Sequence, residues 1–168
     1  SITEHVAIDA GTGCTAAALV AQLAATLGGT AAAAPLPHVH VVLVAGSPEG
    51  FRGMLQCAAR ELCGGRHGGL DSVQLHDHTR GGQMQTCRAE PGTLQVHLHR
   101  PSSAKSFGSV NSTTAKAAVA LARASGVLMD PVYTSKLMHT VQQLQRGAAD
   151  SLTPGAQRWL VVHGGGAG

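Results

Sequence analysis

Residues 6–15, Val-Ala-Ile-Asp-Ala-Gly-Thr-Gly-Cys-Thr, set a polar glycine turn between an apolar strand and an Ala/Leu-rich helix. A strand–turn–helix of this kind aims several backbone N–H groups and the positive end of a helix dipole at one spot, where a phosphate can be held. A second informative run lies far downstream, at Asp130-Pro131-Val132-Tyr133-Thr134-Ser135-Lys136. It offers a phenol and hydroxyls to a flat ring, with Asp130 as the natural cap of the helix that follows. Neither segment carries the group that would perform a reaction.

Histidine is the oddity of the composition, with 10 copies. Three His-x-His pairs occur, His38/His40, His76/His78 and His97/His99. Positions i and i+2 of a strand share a face, so each pair could give two imidazoles to one metal. No third or fourth ligand stands at a recognisable spacing, and alternation of His with apolar residues also describes a half-exposed strand. The sequence therefore assigns no metal ligand. The cysteines Cys14, Cys57, Cys63 and Cys87 lack paired spacing and read as free, buried thiols of a reducing intracellular compartment.

The elements that must position these residues follow from pattern. Residues 5–10 read as a strand, and 15–27 as a helix stopped by Gly28-Gly29. The run 39–45 is continuously apolar, as in a parallel sheet covered on both faces. Ser47-Pro48-Glu49 opens a helix to about residue 63, with a cap, a proline at the first position and an acid in the first turn. Short β-like runs at 72–76 and 93–99, separated by Gly81-Gly82 and Pro91-Gly92, suggest a hairpin-like excursion. Helices are expected from the Asn111-Ser112-Thr113 cap to residue 123, and from 134 to 146, before a last strand at 158–163. This is an α/β pattern, a parallel sheet flanked by helices.

At 168 residues the chain is long enough for one domain, and its 43% hydrophobic content is largely alanine, so the core should be thin. A formal charge of +3 without any basic run, and aromatic residues at 2%, give no nucleic-acid platform. No stretch of 18 or more apolar residues occurs, so no membrane span is expected. Ser1 opens no targeting pattern.

The turn Asp9–Thr15, the helix after it, the run Leu128–Lys136 and the ending Val161-Val162-His163-Gly164-Gly165 together resemble the D-cysteine desulfhydrase and 1-aminocyclopropane-1-carboxylate (ACC) deaminase family of fold-type II pyridoxal-phosphate enzymes. The likeness is to the C-terminal part of such enzymes, a partial large domain over residues 1–168, with 77–105 as a β-hairpin-like insertion. The resemblance implies that Gly11, Thr12, Gly13, Cys14 and Thr15 form the loop for the phosphate of pyridoxal phosphate. It implies that Tyr133 touches the pyridine ring near substrate, and that Thr134 faces the pyridine nitrogen, as in the desulfhydrase branch.

The departures point the other way. By the same resemblance the Schiff-base lysine falls upstream of Ser1, and Lys105, Lys116 and Lys136 do not match it. Ser106-Phe107-Gly108 stands where the family usually has Gly-Tyr-Gly, and Gly164 replaces a threonine. The expectation is a catalytically incompetent remnant, with pyridoxal phosphate not bound, serving as a structural subunit beside other protein chains. Nucleic acid would enter only through a larger complex, and an organelle such as the mitochondrion is one setting. The alternative is the C-terminal half of a split or processed desulfhydrase or deaminase, with Tyr133 catalytic and the lysine on another segment.

Overall fold

The computed structural model describes residues 4–27, 36–62, 70–80, 91–103, 106–149 and 157–163. Five strands and four helices follow in the order β1 (His5–Ala10), α1 (Cys14–Leu27), β2 (His38–Leu43), α2 (Pro48–Leu62), β3 (Val73–Asp77), β4 (Leu94–His99), α3 (Ser112–Ser125), α4 (Thr134–Ala149) and β5 (Trp159–Val162). The strands form one sheet in the order β3-β4-β2-β1-β5, and every neighbouring pair is parallel.

The parallel arrangement corrects the hairpin expectation. Val73 pairs with Leu94 and Asp77 with Leu98, so β3 and β4 run the same way. The connection between them is long enough to carry the chain back to the starting end, which needs roughly a dozen residues or more. Gly81-Gly82 and Pro91-Gly92, the residues that suggest a hairpin-like excursion, both fall within that connection. β4 is an interior strand, and Leu94, Val96 and Leu98 are fully buried. Its apolar positions fill the core rather than the base of an excursion.

Period-two alternation gives the sheet two unlike faces. On one, Val6, Ile8, Val39, Val41, Leu94, Val96 and Leu98 meet α1 through Ala17, Val20 and Ala21, and α2 through Phe51 and Leu55. Alanines on α1 let that helix approach closely, which is how an aromatic-poor core is still filled. On the other face, Ala7, Val42 and Val44 meet Leu137 and Val141 of α4, with α3 packed against α4.

Local signals set the helix ends. Ser47 caps α2 through a bond from Gly50 N–H to its Oγ at 3.1 Å. Asn111 and Thr114 form a reciprocal capping box at the start of α3, and Gly126, at φ 74°, closes it in the left-handed conformation. α4 runs through Gly147 to Ala149, past the expected stop at residue 146. A glycine inside a helix lowers its stability by about 1 kcal/mol but does not by itself end it.

Candidate functional site

The connectivity singles out one place on the sheet. From β1 the chain leaves to α1 on one face, whereas β5 arrives from α4 on the opposite face. In open α/β sheets ligands bind beyond the carboxyl ends of the strands, and the ends of the neighbouring strands β1 and β5 are such a position. The turn 11–13 after β1, His163 after β5, and the start of α4 all meet there.

Gly11, Thr12, Gly13, Cys14 and Thr15 form the β1–α1 turn and the first residues of α1, with Thr12, Cys14 and Thr15 exposed. Gly13 has φ 95°, a conformation that side chains rarely adopt, and Phe51 lies 3.4 Å from where a Cβ would stand. Ala17 N–H donates to Gly13 C=O at 2.8 Å, which starts the helical ladder. The amides before Ala17 in the first turn have no acceptor within the helix. Cys14 and Cys57 are free but exposed rather than buried, and Cys14 Sγ lies 3.8 Å from Met54 Sδ on α2.

Tyr133 packs directly on this turn. Its Cε1 is 3.0 Å, and its Oη 3.5 Å, from the position of a Cβ on Gly11, so the absent side chain is what admits the ring. Phe107 meets Tyr133 edge to face at a centroid distance of 6.1 Å and is itself exposed.

Asp130 organises the rest. Its Oδ1 accepts from Val132 N–H at 2.9 Å and Tyr133 N–H at 2.7 Å; its Oδ2 accepts from Thr134 N–H at 3.0 Å and the Thr134 hydroxyl at 2.9 Å. Burial acts to raise the Asp130 pKa, but the bonds from Thr134, Tyr133 and Val132 outweigh it and hold the carboxyl below its ordinary value. Thr134 is buried, and its hydroxyl also meets His163 Nδ1 at 3.1 Å. With its proton given to Asp130, that hydroxyl has only lone pairs to present elsewhere. Sequence reasoning placed Thr134 at this site, but missed that Asp130 and His163 would claim it. The Thr at the fourth position after Asp130 was the available signal.

The Lys136 amine is engaged away from this turn. Lys136 is buried, and its Nζ donates to Ser106 C=O at 2.9 Å. Burial lowers its pKa, partly offset by Asp130. Lys116 lies on α3, and Lys105 lies outside the described residues. The resemblance also used Gly164 and Gly165, which lie outside them too.

These residues fit pyridoxal phosphate only in part. The turn suits a phosphate, but the neighbouring groups do not suit the ring. Tyr133 is seated on Gly11, and the Thr134 hydroxyl cannot donate to an unprotonated pyridine nitrogen while it donates to Asp130. No chemical step through that cofactor follows from them.

A different cluster lies apart from the β1–α1 turn. His5, His38, His40, His97, His99, His76 and His78 cover the α4-side face of β1, β2, β4 and β3, where in-register parallel pairing brings the His-x-His pairs side by side. His40, His97 and His99 are buried. Among the described residues no three of His, Cys, Asp or Glu are placed to hold one metal ion.

No protein-family model matches the chain, and no curated protein matches it. Solved structures do match. One, described as a crystal structure of an ACC deaminase homologue, superposes with a TM-score of 0.60 at 16% identity, over 96% of this chain and 39% of that one. The chain thus spans about two-fifths of the length of that structure. No helix among the described residues is long and apolar enough to cross a membrane. The chain is similar in architecture to fold-type II pyridoxal-phosphate enzymes, a distant likeness that establishes a parallel α/β fold flanked by helices.

Proposed function

We propose that this chain is a structural subunit of a larger protein assembly, built on a large-domain fragment like that of the D-cysteine desulfhydrase and ACC deaminase enzymes and lacking their ring chemistry. One observation carries the reading: the Thr134 hydroxyl, which the resemblance assigns to the cofactor ring, is consumed by the Asp130 cap and His163. The seating of Tyr133 on Gly11 supports it, as does burial of the Lys136 amine on a backbone carbonyl. Among the described residues β5 pairs only with β1, and Leu160 on it is 52% exposed, so that edge suits a protein neighbour.

Sedimentation of the purified chain, alone and with added pyridoxal phosphate, tests this. The expected result is self-association or co-purification with other proteins, and no saturable change in ultraviolet–visible absorption. A compact monomer that is stable alone would sink the assembly half of the proposal.

A second reading is favoured by the phosphate-suited turn after β1: the chain is one part of an active desulfhydrase or deaminase whose lysine lies on another segment. Saturable cofactor absorption in the native assembly, lost on substituting Tyr133, would support that reading and remove the first.

A further inference from the structure

Six of the seven clustered histidines form two chains of three rings. In one, His5 Nδ1 meets His40 Nε2 at 3.1 Å, and His40 Nδ1 meets His99 Nε2 at 3.1 Å. In the other, His38 Nδ1 meets His97 Nε2 at 3.0 Å, and His97 Nδ1 meets His78 Nε2 at 3.1 Å. His76, the seventh, is bonded to Gln95 Oε1 at 2.7 Å. Each chain runs head to tail across neighbouring strands, the first over β1, β2 and β4, the second over β2 and β4 to the residue after β3. The two chains also stack on each other, with His40 and His97 centroids 4.9 Å apart.

Such a chain has a strict proton limit. Each nitrogen–nitrogen contact of 3.0–3.1 Å holds one hydrogen, because two N–H groups cannot face each other at that distance. Each chain has two such contacts and one outer nitrogen at each end, so it holds at most four hydrogens. Three neutral rings already carry three. An intact chain therefore accepts one extra proton, and a second must break a contact between strands.

We propose that this imidazole lattice is a proton-operated latch on the β2–β4–β3 part of the sheet, which stays closed with up to one extra proton per chain and opens when a second arrives. The surroundings set where the first proton goes. Glu4 favours charge on His5, and Asp77 favours charge on His78, so each chain has one end near a carboxylate. The central rings have no such partner: the charges acting on His40 and His97 are those of other imidazoles, and burial dominates both. Asp9 lies on the same face of β1, but its register partner is Val42 rather than a histidine. From α4, packed over β1 and β2, Lys136 donates to Ser106 C=O, and His139 Nδ1 is 2.6 Å from Ser102 Oγ. Asp130, ahead of that helix, is occupied in its cap.

The test is an imidazole-nitrogen NMR titration of the whole chain from pH 8 to pH 4, with amide hydrogen exchange followed on the same samples. The expected result is no more than two charged rings among these six while β3 and β4 stay protected. Further charging should appear only together with exchange of the 73–77 and 94–99 amides. Three or more charged rings among the six, with those amides still protected, would overturn the latch.

Discussion

Replacing Asp130 by Ala should loosen the helix that closes one face of the sheet. The carboxylate serves three backbone N–H groups and one hydroxyl within 2.7–3.0 Å, all in the turn that opens α4. Loss of a helix cap costs about 0.5–2 kcal/mol, and four donors on one carboxylate place this case near the upper end, at about 2 kcal/mol. For a chain of 168 residues that lowers the melting temperature by about 4–8 °C. The Asp130 pKa lies below its unfolded value, so the contribution is fully present above that unfolded value, near pH 4, and is lost as pH falls through the folded one. Thermal unfolding at pH 7 is therefore the right assay. Asp130→Asn keeps one acceptor oxygen but turns an NH2 toward the remaining donors, and should fall between wild type and Ala. A melting temperature for Asp130→Ala within about 1 °C of wild type would refute the cap as the organiser of this segment.

Other substitutions probe separate features. Gly11→Ala sets a Cβ 3.0 Å from Tyr133 Cε1, so the ring must shift; a loss of about 1 kcal/mol and a changed tyrosine environment by NMR are expected. Leu98→Ala empties a fully buried position on the interior strand β4 and should cost about 2–5 kcal/mol in urea unfolding. Acid should weaken the fold. Burial, with like charge from His78, lowers the His99 pKa to about 4, so its contribution is complete above about pH 6.5 and falls away below it. His97, lowered to about 2, and His40, lowered further by burial, add in the same direction. Urea unfolding should then lose about 3 kcal/mol between pH 6.5 and pH 5.5 if these three rings stay neutral in the folded state.

Much of this architecture was legible in the residues because its signals are local. Ser47, Asn111 and Gly126 mark helix ends through their own hydrogen bonds and dihedrals. The apolar run of β2 marks a strand covered on both faces. What was not legible depends on register and distance. The direction of β4 relative to β3 is decided by a connection and by core packing, so glycine turns suggested a hairpin where the strands are parallel. The His-x-His pairs stood out, yet their meeting required parallel strands aligned so that His40, His97 and His76 share one row. The resemblance singles out Thr134 as a site residue, but the bond of that hydroxyl to His163 spans 29 positions. Nothing in the local spacing reports that.

Exposure of the native protein to a stoichiometric amount of pyridoxal phosphate, borohydride reduction and intact-mass analysis address the central claim most directly. With the Thr134 hydroxyl committed to Asp130, and the Lys136 amine on the Ser106 carbonyl, the expected mass is that of the unmodified chain. A stoichiometric adduct on one lysine of this chain, blocked by excess inorganic phosphate, would contradict it.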